Sequence, residues 1–307
     1  LLSLQPIVTT TAALDALAAG LQGEPAIGLD TEFLRERTYR AELCLIQVSG
    51  QHLAACVDPI ALPDIAPLVG PLLAAHPVKV MHASRQDLEV LLPVAGLVRP
   101  VFDTQIAAAL TGMPAQIGYG ELVRRTLGKE LPKSHTRTDW SRRPLTPEQV
   151  EYALDDVRYL LPLKEYLEEQ LDRLGRLSWL SEELRGLEDE QLLSVRPEEA
   201  WRRLKGLKGL DAGRMRLARA LAAWREQRAI ERNRPRGWIL DDAVLREIVM
   251  RVPRTMEQLQ AIPDMAAGVL RHCGEELLQI IRAADVPHPP PPQPSRPRPN
   301  PEQTALV

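Results

Sequence analysis

Five side chains in this sequence have the types and spacing for work on a charged substrate. Asp30 and Glu32 end the apolar run Ala26-Ile-Gly-Leu-Asp-Thr-Glu-Phe33. In a β-strand, residues i and i+2 share a face, so the two carboxylates project together just past Ile27 and Leu29. Two acids side by side at the margin of a core repel each other and resist desolvation unless a cation lies between them. The pair therefore hints at a hard-metal site, although Asp-x-Glu also occurs at solvated strand ends. Asp87 lies in the first turns of a helix read from Ala83 to Leu92. Tyr152 and Asp156 are four residues apart on a helix beginning at Thr146, which puts both on one face. Asp155 is also near Tyr152, and geometry alone does not exclude it. A site for two metals needs more carboxylates than one strand end supplies, and helices crossing a sheet can bring them.

The elements that must hold these residues follow from pattern. A helix over Thr11–Leu21 precedes the strand of Asp30. Glu42–Val48 and Leu53–Val57 read as two strands joined by the short turn Ser49-Gly-Gln-His52. A helix over Pro63–Ala74, a strand Val78–His82 and the helix of Asp87, opened by Ser84 as N-cap, come next. Val101-Phe102 is a brief strand, and Asp103 in a cap position before Thr104–Leu110 has a structural role. An antiparallel opening followed by β-α alternation predicts an α/β sheet with helices on its faces. After a helix over Glu121–Leu127, residues 129–147 form a long polar, breaker-rich loop containing Lys133, Arg137 and Trp140. Thr146 and Pro147 then open a helix predicted to reach Leu171 with a kink at Pro162. A connecting helix is expected over 176–192. Basic amphipathic helices are expected at Pro197–Gly209 and Gly213–Glu231, the second with Leu217, Leu221 and Trp224 as its core face. Asp241–Val252, Thr255–Ile262 and Gly268–Ala284 complete a small helical bundle. Residues 286–301 are rich in proline and favour extended polyproline II, a linker expected to lead into a further helical domain past Val307.

With 45% apolar and 26% charged residues, the chain has the composition of a soluble globular protein. No apolar run approaches the roughly 18 residues of a membrane span, and no basic segment leads into an apolar core at Leu1 as in a signal peptide. Cys44, Cys56 and Cys273 are isolated thiols without metal-ligand spacing, which suits a reducing, cytoplasmic setting. The net charge of −3 is unevenly spread: about −9 over residues 1–191, about +5 over 192–285 and about +1 after that. An acidic front half fits a metal site, and a basic back half fits a polyanion.

The order Asp30-x-Glu32, Asp87, Tyr152-x-x-x-Asp156 resembles the DEDDy exonuclease superfamily. The segments Leu29–Phe33, Leu45-Ile-Gln47, His82-Ala83, Asp87-Leu-Glu89, Phe102–Gln105, Thr138-Asp-Trp140, Arg143-Pro-Leu145 and Tyr152–Leu161 resemble the ribonuclease D family within it. Residues 193–272 resemble the helicase-and-RNase-D C-terminal (HRDC) module. The resemblance implies an RNase H-like mixed-sheet exonuclease domain over 1–175, the connecting helix at 176–192, an HRDC-like bundle over 193–285 and a proline-rich linker over 286–307. It implies a 3′–5′ exoribonuclease acting on free RNA 3′ ends, transfer RNA precursors above all. A single-stranded DNA exonuclease and a non-catalytic RNA-binding scaffold are the alternatives, and the intact set of four acids and a tyrosine disfavours the second. Carried over by residue, Asp30, Glu32, Asp87 and Asp156 would hold two divalent ions, Mg²⁺ or Mn²⁺, and Tyr152 would position the attacking water. The family spacing selects Asp156 over Asp155. Thr31, His82, Lys133, Arg137 and Trp140 are candidate substrate contacts; His82 either touches substrate or fills a polar edge. Arg40-Ala-Glu-Leu43 departs from the family pattern, which has a proline ahead of the leucine.

Overall fold

The structure, a computed structural model, describes residues 7–132, 138–193 and 196–284. The chain divides into two compact units between Val195 and Arg196.

The first unit is built on a six-stranded mixed sheet. Its strands are β1 (Ile7–Val8), β2 (Ala26–Leu34), β3 (Glu42–Ser49), β4 (Ala54–Val57), β5 (Val78–Met81) and β6 (Val101–Asp103), in the spatial order β1-β4-β3-β2-β5-β6. β2, β3 and β4 are antiparallel neighbours, and the remaining pairs are parallel. β2 is thus central, with β3 on one side and β5 on the other. Alternation along β2 divides its side chains between two layers. Ile27 and Leu29 pack with Leu14, Leu17 and Leu21 of α1 (Thr11–Gln22), Leu68 and Leu72 of α2 (Ala66–Leu73), and Leu88 and Leu91 of α3 (Arg85–Ala95). Each fully buried leucine is worth roughly 1.5–3 kcal/mol relative to exposure. Ala26, on the other face, packs with residues of α4 (Thr104–Leu110), α5 (Tyr119–Leu127), α6 (Pro147–Arg158) and α7 (Leu160–Arg173).

Several expectations need correction. The helix from Thr146 does not run unbroken to Leu171: α6 ends at Arg158 and α7 begins at Leu160. Pro162 has no N–H for the carbonyl of Arg158 and its ring crowds that carbonyl, so the break falls a turn before the proline. The hydroxyl of Tyr119 supplies a second cause. It donates to the carbonyl of Asp155 at 3.0 Å and accepts from the amide of Tyr159 at 3.2 Å, the two groups that a regular helix would join directly. Residues 176–192 are not a single connecting helix. α8 (Leu177–Arg185) buries Leu180 with the α4–α7 layer, and the short α9 (Glu190–Leu193) brings Leu193 to the α1–α3 layer. Ser84 stands at the N-cap position of α3, but its side chain makes no cap bond. By contrast, Thr146 caps α6 with a full capping box to Gln149.

The second unit is a helical bundle. A 3-10 helix at Pro197–Arg203 replaces the first expected basic helix, and α10 (Ala212–Arg232) is its longest element. α11 (Arg236–Ile239), α12 (Asp242–Arg251), α13 (Met256–Gln260) and α14 (Ala267–Ala283) follow. Leu217 and Leu221 of α10 enter a core with Leu245, Ile248, Leu277 and Ile281, and Trp224 packs on its margin. Residues 286–307 lie outside the described residues.

Candidate active site

β2 delivers two acids, and two helices, α3 and α6, supply the rest. Asp30 and Glu32 lie on the β2 face covered by α6 and α7. Asp87 comes from the first turn of α3 and is 8% exposed. The Thr31 hydroxyl, on the opposite face of β2, donates to Oδ1 of Asp87 at 2.5 Å and so ties α3 to the strand end. Asp103 holds the start of α3 as well. Its carboxylate accepts from the amides of Ala83 and Ser84 and from the Ser84 hydroxyl at 2.8–3.2 Å. The same carboxylate caps α4 through Gln105 and Ile106. Ala83 has φ of +54°, a left-handed conformation costly for a residue with a Cβ, and this pair of amide bonds sustains it.

Tyr152 and Asp156 come from α6 and are hydrogen-bonded to each other. Two contacts seat that end of α6 on the sheet. Ser49 Oγ donates to the carbonyl of Val157 at 2.9 Å. At Gly28, a Cβ would meet Ser49 Oγ at 2.3 Å and the Val157 carbonyl at 3.1 Å, so only glycine admits this approach. Asp155 is engaged elsewhere, in an ion pair with Arg158, which also holds Glu151.

The electrostatics match four acids crowded at a core margin. Burial, then the charges of Asp87, Asp156 and Glu32, hold the Asp30 carboxyl well above the usual carboxylate range. Burial and the charges of Asp156 and Asp87 push Glu32 up to about 8. Burial raises Asp87 to about 6, against the opposing hydrogen bond from Thr31. Burial and Asp155 raise Asp156 to about 7. Burial and the same carboxylates raise the Tyr152 hydroxyl, which keeps it protonated at neutral pH.

An all-carboxylate donor set suits hard divalent cations. Among the described residues, no three His, Cys, Asp or Glu side chains are drawn together closely enough to enclose an ion as they stand. The fit is therefore one of donor type and of the negative field that the carboxylates share.

The candidate substrate contacts fare differently. Trp140 is buried at 4% exposure and packs in a cluster with Val150, Ala153 and Leu154, its ring 6.2 Å from that of Tyr152. It supports the tyrosine from below and does not offer itself to a strand. His82 fills a polar edge: Nε2 donates to the Ile117 carbonyl at 3.0 Å and Nδ1 pairs with the Thr104 hydroxyl at 2.9 Å. Thr31, 5% exposed, is occupied by Asp87. Lys133 and Arg137 lie outside the described residues. Of two clefts in this unit, only the second is lined by one of the four acids, Asp156. One of about 790 Å³ is lined by Phe33, Arg35, Arg37, Thr138 and Ser141, and one of about 660 Å³ by Tyr119, Arg124, Leu131, Tyr152 and Asp156. The described ends of the breaker-rich loop thus contribute to both.

Sequence reasoning missed Tyr119, Ser49 and the Arg143 anchor, whose guanidinium bonds both oxygens of Asp58 at 2.6 and 2.8 Å and the carbonyls of Cys44 and Trp140. Ser49, read as the start of the turn Ser49–His52, is the last residue of β3, and Arg143-Pro-Leu145 marked a motif without its partner.

A family model described as a 3′–5′ exonuclease matches residues 5–172, and one described as an HRDC domain matches residues 214–281. Ribonuclease D of Sphingobium indicum is 40% identical over 269 residues, covering 87% of this chain and 69% of that protein. Ribonuclease D of Acidiphilium cryptum is 41% identical, covering 92% and 74%. The crystal structure of Escherichia coli RNase D, an exoribonuclease involved in structured RNA processing, superposes with a TM-score of 0.83 at 35% identity, over 92% of this chain and 75% of that one. The catalytic core of RRP6 from Trypanosoma brucei gives a TM-score of 0.67 at 26% identity, over 91% and 79%. On the match of the exonuclease model and the identity with these ribonuclease D proteins over most of its length, the chain belongs to the ribonuclease D family and is a 3′–5′ exoribonuclease.

Proposed function

We propose that the protein removes nucleoside 5′-monophosphates one at a time from single-stranded RNA 3′ ends, transfer RNA precursors among them, in the cytoplasm. Asp30, Glu32, Asp87 and Asp156 would hold two divalent ions, Mg²⁺ or Mn²⁺. The observation that carries this reading is the set of four partly or fully buried acids whose charges raise one another's pKa, with Tyr152 bonded to the last of them. No helix among the described residues is long and apolar enough to cross a membrane. The three cysteines are free and buried, as in a reducing compartment.

Bound divalent cations supply the acidification of water and the neutralisation of charge on phosphorus and the leaving oxygen. The chain's own residues set the geometry. Tyr152, protonated and bonded to Asp156, presents its oxygen to the attacking water and orients it without abstracting its proton. The water oxygen bonds to phosphorus and gives up a proton to solvent, the P–O3′ bond breaks, and the leaving O3′ takes a proton from solvent, so that the shortened RNA keeps a 3′ hydroxyl and the released nucleotide a 5′ phosphate. The cleft lined by Tyr152 and Asp156 gives room for a terminal strand, and a duplex end would have to fray before entering.

The test is a 5′-labelled RNA with a single-stranded 3′ overhang, followed in time with Mg²⁺, Mn²⁺ or EDTA, beside a DNA of the same sequence. A ladder shortening by one nucleotide, pausing near the duplex and abolished by EDTA and by Asp30→Ala or Asp156→Ala, is expected. Cleavage of a circular RNA, or full activity in excess EDTA, would remove the reading. Equal cleavage of the DNA would widen the substrate to both polymers.

A further inference from the structure

Gln47 lies directly opposite Asp30 in the antiparallel ladder of β3 and β2. Opposed residues point to the same face of a sheet, with Cβ atoms about 4.5–5.5 Å apart. Along β3 its neighbours on that face are Leu45, packed with Trp140, Ala153 and Leu154, and Ser49, bonded to the Val157 carbonyl. Gln47 is therefore enclosed beneath α6 and is 0% exposed. Neither its amide nitrogen nor its amide oxygen has a hydrogen-bond partner among the described residues. A buried amide with its donors and acceptor unpaired is destabilising, and an apolar side chain of the same length would pack there without that cost. The directly opposed carboxylate is that of Asp30, and Glu32 lies on the diagonal.

We infer that Gln47 is a positioning residue of the catalytic centre, whose amide NH₂ donates to the Asp30 carboxylate when that carboxylate engages a cation. This rests on the proposed role of Asp30 as a ligand. A ligating carboxylate has a second oxygen, and a donor to that oxygen fixes the orientation of the group and its hold on the ion. Thr31 already serves Asp87 in this way from the opposite face. Gln47 performs the corresponding service for Asp30 on the face of α6.

The experiment is calorimetric titration of Mn²⁺ into the RNA-free full chain, wild type against Gln47→Met. The expected result is Mn²⁺ binding weakened about tenfold, the low end for loss of such a supporting bond. The melting temperature in EDTA should be unchanged or raised, and kcat lowered with KM for RNA unchanged. Equal Mn²⁺ affinity in the folded variant overturns the inference. So does a lowered melting temperature with unchanged Mn²⁺ affinity, which marks a merely structural amide. A second measurement needs no variant: in ¹⁵N-glutamine-labelled wild type, the Gln47 side-chain NH₂ pair should shift downfield on addition of Mg²⁺. An unmoved pair overturns the inference. If wild type binds no divalent ion, the ligand role of the acids fails and the inference falls with it. Binding by wild type that is insensitive to Gln47 removes the inference alone.

Discussion

Tyr152 does two jobs with two parts of one side chain. Its ring leans on Trp140 and its hydroxyl bonds Asp156. Tyr152→Phe keeps the ring and removes the hydroxyl, so RNA affinity should stay within about threefold while kcat falls about a hundredfold, the cost of a misoriented reactant. Unchanged turnover in single-turnover assays would refute the orienting role. The acids make a different prediction, about stability. Glu32 is raised to about 8 and Asp156 to about 7, whereas both lie near 4 in an unfolded chain. Between about pH 4 and pH 8 the folded protein therefore binds more protons than the unfolded one. By linkage, stability falls as pH rises through that window. In EDTA, the melting temperature should drop from pH 6 to pH 8.5, and millimolar Mg²⁺ should restore it, most strongly at the higher pH. A flat profile in EDTA would show that the acids do not burden the fold. Asp58 has the opposite sign. The Arg143 guanidinium and the amides of Ile60 and Ala61 hold its carboxyl below the usual range despite burial, so its contribution is lost only in acid.

At the scale of elements, the break between α6 and α7 sets where Asp156 stands. Tyr119 wedges its hydroxyl into the helix ladder, Pro162 removes a donor, and Ser49 and Gly28 let the bend settle on β2. Tyr119→Phe removes the wedge and leaves the Asp155 carbonyl and the Tyr159 amide to find each other. The helix should straighten locally, costing about 1–2 kcal/mol for the lost buried bonds and lowering kcat more than it raises KM. Denaturant melts and steady-state kinetics would check this; wild-type kcat with reduced stability would confine Tyr119 to the fold. This bend also marks what the sequence could not disclose. The acids were legible because their strand and helix spacing is local: Asp30 with Glu32 by the period of two, Tyr152 with Asp156 by the period of 3.6. Thr146 and Asp103 were legible as caps for the same reason. Contacts between distant segments left no such mark. Trp140 read as a surface aromatic in a polar loop, yet tertiary packing buries it under Tyr152. His82 read as ambiguous, and the partners that decide it are Thr104 and Ile117. Lys79, unremarked in an apolar strand, lies fully buried with its ammonium on the carbonyls of Ala74, Pro77 and Arg99.

At the scale of the whole molecule, the question is what the helical unit adds to an exonuclease unit that contains all four acids. Its net charge of about +5 over residues 192–285 suggests phosphate binding. That figure is already net of the unit's own acids, and the ion pairs decide which cations carry the excess. Arg214 is held by Asp211, Arg225 by Asp242 and Arg228 by Glu276. Arg219 stacks over Trp201 at 4.4 Å. Arg214, Arg225 and Arg228 of α10 are thus committed within the unit, and the excess of about five positive charges rests on its other cations. With log K falling by roughly 0.7 per contact against log salt on single strands, a truncated protein ending at Val195 should bind RNA more weakly. Its salt slope should be shallower by up to about 3.5, the value for about five contacts. It should still cleave short oligonucleotides at near full kcat. Trp238, 57% exposed with Arg234 at 6.0 Å from its ring, offers a non-ionic contribution. Base stacking on an aromatic is worth about 1–3 kcal/mol and is insensitive to sequence. Trp238→Ala in the full chain should therefore weaken RNA binding about five- to hundredfold while leaving the salt slope as it is. Fluorescence anisotropy over a salt series, for wild type, truncation and Trp238→Ala, separates the two terms. An unchanged slope on truncation would mean that the excess positive charge of this unit meets no phosphate, and an unchanged affinity in Trp238→Ala would leave that ring without a stacking role.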